Sequence, residues 1–78
     1  METILVGEKE AKEYVDEAKK IFEGSDELII KGKGRDTVKA VDVAELLKED
    51  GCKTKNINIS TEESENRRIS VIEITIQK

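Results

Sequence analysis

The chain has 78 residues, 41% of them charged, and a formal net charge of −4 at pH 7. A chain this short forms one domain, predicted here over residues 1–78, and it hides only about 60% of the surface that its unfolded form exposes, so we expect a dimer to enlarge its small core. The acidic balance has the wrong sign for a protein that holds nucleic acid mainly by cations placed on phosphates.

The first half of the chain predicts a strand, a helix and a second strand. Thr3–Val6 is a short apolar run of β-forming residues. From Gly7 onward, apolar residues recur at spacings of three and four, which predicts a helix that Gly24 ends in a left-handed conformation. The helical stripe consists of Ala11, Tyr14, Val15, Ala18, Ile21 and Phe22. The apolar run from Glu27 predicts the second strand, ending at Lys31.

A second helix is predicted to begin near Asp36 and to end at Gly51. Its apolar stripe is wider than that of the first helix, which predicts that it is the more deeply buried of the two. The stripe consists of Ala40, Val43, Ala44 and Leu47, widened by Val38, Val41 and Leu46.

Beyond Cys52 the apolar period changes from 3.6 to 2. Asn56–Ile59 and Ile72–Ile76 predict two strands, each with one buried face, and the polar segment Thr61–Asn66 predicts a hairpin tip between them. The element order predicts an α+β fold, a two-layer β-α-β-α-β-β sandwich. Two helices would pack on one face of a four-stranded mixed sheet that ends in a C-terminal hairpin.

No set of residues predicts catalysis, a cofactor or a metal. Histidine is absent, and Cys52 has no activating partner, so we interpret it as a semi-buried structural thiol rather than a nucleophile. Glu62, Glu63 and Glu65 lack the spacing of a calcium loop and are interpreted as a solvated loop. One cysteine, no leader pattern and no apolar run near the roughly 20 residues that span a bilayer predict a cytoplasmic protein outside the membrane.

The segment from Lys31 to Lys39 is basic although the whole chain is acidic. Its cations are Lys31, Lys33, Arg35 and Lys39, against the single carboxylate of Asp36. The two glycines between them, Gly32 and Gly34, fit neither a Walker loop, nor a dinucleotide fingerprint, nor the GxxG loop of a KH domain.

Two interpretations of this glycine segment remain open. In the first, a strand end, bare backbone and a helix start together attract an anion, with Arg35 gripping a phosphate through two hydrogen bonds. In the second, the glycines shape a tight turn and the cations keep it solvated. Asp36 favours the second, since its carboxylate is suited to capping the helix.

Several stretches resemble the Alba family of archaeal chromatin-associated and RNA-associated proteins. The resemblance is carried by Ile29–Arg35 and by Lys39–Glu45. Ile4–Gly7 with Lys9 and then Tyr14-Val15, and finally Ile69–Ile74, fit in the same order, so the resemblance spans almost the whole chain. It implies the fold predicted above and a homodimer or heterodimer that lays its hairpins along the minor groove of a duplex.

The resemblance also implies a set of nucleic-acid-binding residues. Lys33 and Arg35 match phosphate-contacting cations of the family, and Lys9 matches the second member of a lysine pair. The full predicted set is Lys9, Lys31, Lys33, Gly34, Arg35, Lys39, Arg67 and Arg68.

The chain also departs from the family pattern. Glu8 stands where the family has the first lysine of the pair, and Glu10 stands where it usually has a proline. The hairpin tip is short and acidic, and Gly51 lies near the position of a phenylalanine that family members use between dimers. Two hypotheses follow. The first is a non-catalytic, largely sequence-independent dimer that binds DNA, RNA or both, and that is chromosome-associated if it binds DNA. The alternative is an acidic Alba-like subunit with weak or lost nucleic-acid binding, serving as a heterodimer partner or protein-interaction scaffold.

Overall fold

The computed structural model describes residues 1–78, and its elements follow the predicted order. They are β1 (Glu2–Leu5), α1 (Ala11–Ile21), β2 (Glu27–Lys33), α2 (Asp36–Glu49), β3 (Lys53–Ser64) and β4 (Arg67–Gln77). The sheet order is β1-β2-β4-β3, with β1 and β2 parallel and the other pairs antiparallel. The predicted fold is therefore confirmed. Neither helix is long and apolar enough to cross a membrane.

The core lies between the two helices and one face of the sheet, in a cluster of 15 buried residues. Strand β2 buries every second residue, Leu28, Ile30 and Gly32, because successive side chains of a strand point to opposite faces. Strand β4 adds Ile72, Ile74 and Ile76, which pair directly with those positions of β2. The helices add Tyr14, Val15 and Ala18 from α1, and Ala40, Val43, Ala44 and Leu47 from α2.

Both boundaries predicted for the first helix are wrong. Helix α1 begins at Ala11, after a turn, and the Glu10 N–H donates to Glu13 Oε2 over 3.0 Å at its first turn. Gly24 is not left-handed, because the positive-φ glycines are Gly34 and Gly51. The helix ends at Ile21 and closes with ordinary turn hydrogen bonds. Gly51, with a φ of 98°, ends α2 as predicted.

Strand β2 continues two residues beyond its predicted end at Lys31. Gly32 and Lys33 pair with Ile72 and Val71 of β4, so the neighbouring strand holds them in the sheet. Gly32 is therefore a strand residue rather than part of a loop. A Cβ at Gly32 would lie 2.5 Å from the Asp36 carbonyl oxygen, which shows that the glycine is needed for α2 to approach β2.

The prediction of a buried face on the third strand is wrong, because every residue of β3 is exposed. Ile57 and Ile59 point to the helix-bearing side, opposite Ile74 and Ile72, yet remain 54% and 72% exposed. Strand β3 lies at one edge of the sheet, and no helix of the same chain covers it. The hairpin turn is also narrower than predicted, since β3 runs to Ser64 and β4 begins at Arg67.

Helix α2 carries apolar residues outside the core as well. It buries four residues against three in α1, as expected for the wider stripe. The residues that widen the predicted stripe are exposed, however, with Val38 at 67% and Val41 at 39%, and Leu46 also outside the core.

Candidate functional site

The parallel pairing of β1 with β2 brings two loops to one end of the sheet. Both strands are followed by a helix, so residues 6–10 and residues 34–35 leave the sheet at the carboxyl ends of neighbouring strands. This is the end at which open α/β sheets usually carry their sites. We call residues 7–10 and 33–39 the loop end. It contains four of the predicted site cations, Lys9, Lys33, Arg35 and Lys39.

Lys39 joins the two loops. Its Nζ donates to the Gly7 carbonyl and to the Lys9 carbonyl, each over 2.8 Å. Lys39 therefore lies at the loop end as predicted, but its ammonium group is engaged by the backbone, which ties the first turn of α2 to the loop before α1.

Tyr14 shapes the first loop through its hydroxyl. The hydroxyl oxygen accepts hydrogen bonds from the Gly7 N–H at 2.7 Å and the Lys9 N–H at 3.3 Å. Lys9 Nζ lies 6.0 Å from the ring centroid of Tyr14, at the outer limit of a cation–π contact. The sequence analysis assigned Tyr14 only to the apolar stripe of α1 and missed this role of its hydroxyl. An aliphatic residue would have been enough for the stripe, so the tyrosine seven residues after Gly7 was the signal for a hydrogen bond to the preceding loop.

Gly34 connects the second loop to the β3–β4 hairpin at Ser70. From Ser70 towards its tip, the hairpin is paired with no other strand, and we call the position of Ser70 the hairpin root. Its φ is 56°, and its N–H donates to the Ser70 carbonyl over 2.8 Å. Its carbonyl accepts from the Thr37 N–H at 3.2 Å and from Thr37 Oγ1 at 2.9 Å. The Gly34 N–H is therefore not free to meet an anion. The loop and the hairpin root form one continuous surface.

The start of α2 differs from the expectation that Asp36 caps it. The N-cap is Arg35, which makes no side-chain cap hydrogen bond, and Asp36 is the first helical residue. With Gly32 inside β2 and Gly34 bonded to β4, the glycines serve packing and turn geometry. Any attraction for anions at the loop end therefore depends mainly on the side chains.

Four of the seven predicted cations form ion pairs. The pairs are Lys9–Glu17 at 3.8 Å, Lys31–Glu73 at 4.0 Å, Lys33–Glu62 at 3.1 Å and Arg68–Glu63 at 3.5 Å. Arg35 and Arg67 have no carboxylate oxygen within the 4.0 Å limit of an ion pair. The partner carboxylates were missed because the pairing depends on strand register: Lys33 lies opposite Val71, and Val71 opposite Ser60, two residues from Glu62 on the same face.

The predicted site residues therefore fall into three places. Four cations and Gly34 lie at the loop end, Arg67 and Arg68 lie at the far end of the hairpin, and Lys31 lies on the helix-free face of the sheet. Arg67 is three residues along β4 from Ser70 at the hairpin root, which is a distance of about 10 Å in a strand.

Cys52 lies apart from the loop end, half-buried beside α2. Burial raises the pKa of its thiol, and the neighbouring carboxylate of Asp50 raises it further. Both effects favour the neutral thiol, in keeping with the structural interpretation.

An apolar surface extends from α2 onto the uncovered strand. We call it the β3 patch, and it consists of Val38, Val41, Ile57 and Ile59, all exposed. A shallow groove of about 210 Å³ runs through it, bounded by Thr37 and by Ser70, Val71 and Ile72 of β4.

Comparison with known proteins places this arrangement in a family. The Alba family model matches residues 2–64. Two relatives, each named DNA/RNA-binding protein Alba 2, from Saccharolobus solfataricus and Saccharolobus shibatae, are 41% identical over 59 residues. The match covers 72% of this chain and 66% of each relative, just under two thirds of their length.

Two solved structures share the whole fold. Alba from Thermoplasma volcanium superposes with a TM-score of 0.85 at 32% identity, covering 97% of this chain and 99% of that one. ALBA1 from Trypanosoma brucei gives a TM-score of 0.89 at 26% identity, covering 97% of this chain and 68% of that one. With the family model matching most of its residues and its fold shared over nearly its full length, this chain belongs to the Alba family.

Proposed function

We propose that this protein is a non-catalytic nucleic-acid-binding protein that acts as a dimer and contacts phosphates rather than base edges. The observation that carries the proposal is the hydrogen bond from Gly34 to Ser70, which joins the loop end to the β3–β4 hairpin and so connects the predicted cations of the two loops with those of the hairpin. The names of the relatives, DNA/RNA-binding proteins, support the same function. Phosphate contacts carry no sequence information, so we expect little sequence preference.

Arg35 and Arg67 are the cations best placed to bind phosphate. Neither is held by a carboxylate, and a guanidinium offers two parallel hydrogen bonds to a phosphate group. Lys39 adds a third positive charge that no carboxylate neutralises. About three phosphate contacts per chain imply that the logarithm of affinity falls with the logarithm of salt concentration with a slope of about −2.7.

A titration of duplex DNA and of structured RNA at 50 and 200 mM salt tests the proposal. The slope above predicts a loss of affinity of about 40-fold per chain between the two conditions. The absence of binding to either nucleic acid at 50 mM salt would refute the proposed function.

Charge reversal separates a binding surface from a structural turn. The double variant Lys33→Glu/Arg35→Glu is expected to abolish measurable binding, while circular dichroism shows an unchanged fold. The matched control is Lys48→Glu/Lys53→Glu, which makes the same charge change at the opposite end of the sheet, in the last turn of α2 and the first residue of β3. Equal loss of binding in both variants would mean that only net charge matters.

The β3 patch is the surface proposed for the dimer. Its four aliphatic residues are uncovered in a chain with only 17 buried residues, so a second copy seated on it enlarges a small core. We expect Ile59→Asp to yield monomers by light scattering. Leu5→Asp, which changes an exposed leucine on the opposite edge strand, should leave the dimer intact. A dimer that survives Ile59→Asp would place the interface elsewhere.

The ion pairs favour a second candidate function. Four predicted cations are paired, and Glu8 and Glu10 flank Lys9. Asp42 and Glu45 are exposed on α2 and follow Val38 and Val41 of the β3 patch by four residues, which is the spacing of neighbours on one helix face. These features suit an acidic subunit that pairs with a more basic relative and lowers its affinity for nucleic acid. Mixing the chain with a basic Alba protein and following subunit exchange by native mass spectrometry distinguishes the two, since formation of self-dimers alone would argue against this role.

A further inference from the structure

We propose that Glu62 is an intramolecular competitor for nucleic acid, whose carboxylate occupies Lys33 in the free protein and must be displaced before Lys33 can contact a phosphate. The inference rests on the proposed function and adds a residue that sets its strength. Glu62 lies on the hairpin rather than at the loop end, so the contact joins the two parts of the candidate surface.

The geometry makes this pair the tightest among the predicted site cations. Lys33 Nζ donates to Glu62 Oε1 over 3.1 Å. The pairs of Lys9 and Lys31 are longer, at 3.8 and 4.0 Å. The Arg68–Glu63 pair has side chains 77% and 73% exposed, against 41% and 47% for Lys33 and Glu62. Water therefore screens the Lys33–Glu62 pair less than it screens the pair at the hairpin end.

The position of the pair places it in the path of a polyanion. Lys33 is the last residue of β2, and the next residue, Gly34, is hydrogen-bonded to Ser70 at the hairpin root. Glu62 lies on β3 opposite Ile69, one residue farther along the same root. A nucleic acid that runs from Arg35 towards Arg67 therefore passes the Lys33–Glu62 pair.

The energetics of the exchange determine what Glu62 does. In the free protein Lys33 is already neutralised by Glu62, so moving it onto a phosphate replaces one anion by another and leaves a carboxylate beside the polyanion. Binding through Lys33 is then weaker by the strength of the pair, about two- to five-fold for an exposed ion pair. Removing the Glu62 charge frees one cation. The slope of the logarithm of affinity against the logarithm of salt concentration should then become steeper by about 0.9 per chain.

The test compares Glu62→Gln with the matched control Glu65→Gln. Glu65 lies on the same hairpin, forms no ion pair, and loses the same charge. Against duplex DNA at 50 mM salt we expect Glu62→Gln to bind about two- to five-fold more tightly than Glu65→Gln. Because the slope is steeper, most of that advantage should be lost at 200 mM salt. In a Lys33→Gln background the two glutamate variants should bind equally, because Glu62 then has no lysine to occupy.

The outcomes separate this inference from the proposed function. Equal binding by Glu62→Gln and Glu65→Gln at 50 mM salt would overturn the role of Glu62 while leaving nucleic-acid binding intact. Weaker binding by Glu62→Gln at 50 mM salt would also overturn it, since the pair would then serve to position the hairpin. Failure of the unaltered protein and of every variant to bind DNA or RNA at 50 mM salt would overturn the proposed function itself.

Discussion

Replacing Gly32 by alanine should be the most damaging of the small glycine substitutions in this protein. The added Cβ would lie 2.5 Å from the Asp36 carbonyl oxygen and 2.9 Å from the Ala40 Cβ. Restoring an ordinary contact of 3.4 Å from 2.5 Å requires α2 to retreat by about 0.9 Å. That movement loosens the packing of Val43 and Leu47, so we expect a loss of about 3 kcal/mol, the upper end for overpacking a core. A domain of this size has roughly 4–12 kcal/mol in total.

Two other glycines calibrate the measurement. A Cβ at Gly24 meets nothing within 4 Å, so Gly24→Ala should be neutral or stabilising by up to about 1 kcal/mol. Gly34→Ala has room but forces an alanine to a φ of 56°, at a cost of about 1–2 kcal/mol. Urea unfolding at one fixed protein concentration measures all three. A Gly32→Ala variant as stable as Gly24→Ala would refute the close approach of α2 to β2.

Three further predictions concern single side chains. Tyr14→Phe removes the acceptor of the Gly7 N–H and should cost about 1–2 kcal/mol in urea unfolding, whereas unchanged stability would contradict the role of the hydroxyl. Glu65→Gly relieves a non-glycine residue at a φ of 51° and should stabilise the protein by about 1 kcal/mol, with a drop in melting temperature as the contrary result. Because burial raises the pKa of the Cys52 thiol, iodoacetamide should modify it more slowly at pH 7 in the folded protein than in urea, and equal rates would count against that shift. The folded state holds this proton more tightly, so stability should also fall as pH rises above the ordinary thiol pKa.

Periodicity was sufficient to predict the element order, because each core stripe follows the repeat of its own element. The Ile72–Ile76 alternation and the Ala40–Leu47 stripe both lie in the core as expected. Alternation indicates which face of a strand is apolar, but it does not indicate whether anything covers that face. This is why β3 was expected to be half-buried, although Ile57 and Ile59 remain mostly exposed beside α2.

The sequence was enough to predict where the candidate site cations lie in the fold, but not which carboxylates they pair with. The order of a strand and a helix, repeated once, is enough to bring Lys9 and Arg35 to one end of a parallel pair. The pairing of Lys33 with Glu62 depends instead on the register of two strands across β4, and residue spacing carries no record of it. Gly32 was misassigned for a similar reason. A glycine between two lysines is typical of a loop, and only the three-dimensional position of α2 shows that this glycine is needed for close packing.

Strand β4 has two roles, because one part of it forms the protruding hairpin and the other part completes the hydrophobic core. Although it follows every other strand in chain order, β4 lies between β2 and β3 and supplies Ile72, Ile74 and Ile76 to the interior. The first half of the chain therefore has no complete interior until residues some forty positions downstream arrive, so assembly depends on distant contacts and truncation before them should leave an unfolded product. Within β4, the residues before Ser70 contribute nothing to the core, so changes in their length or charge should leave the fold intact, whereas changes after Ser70 should not.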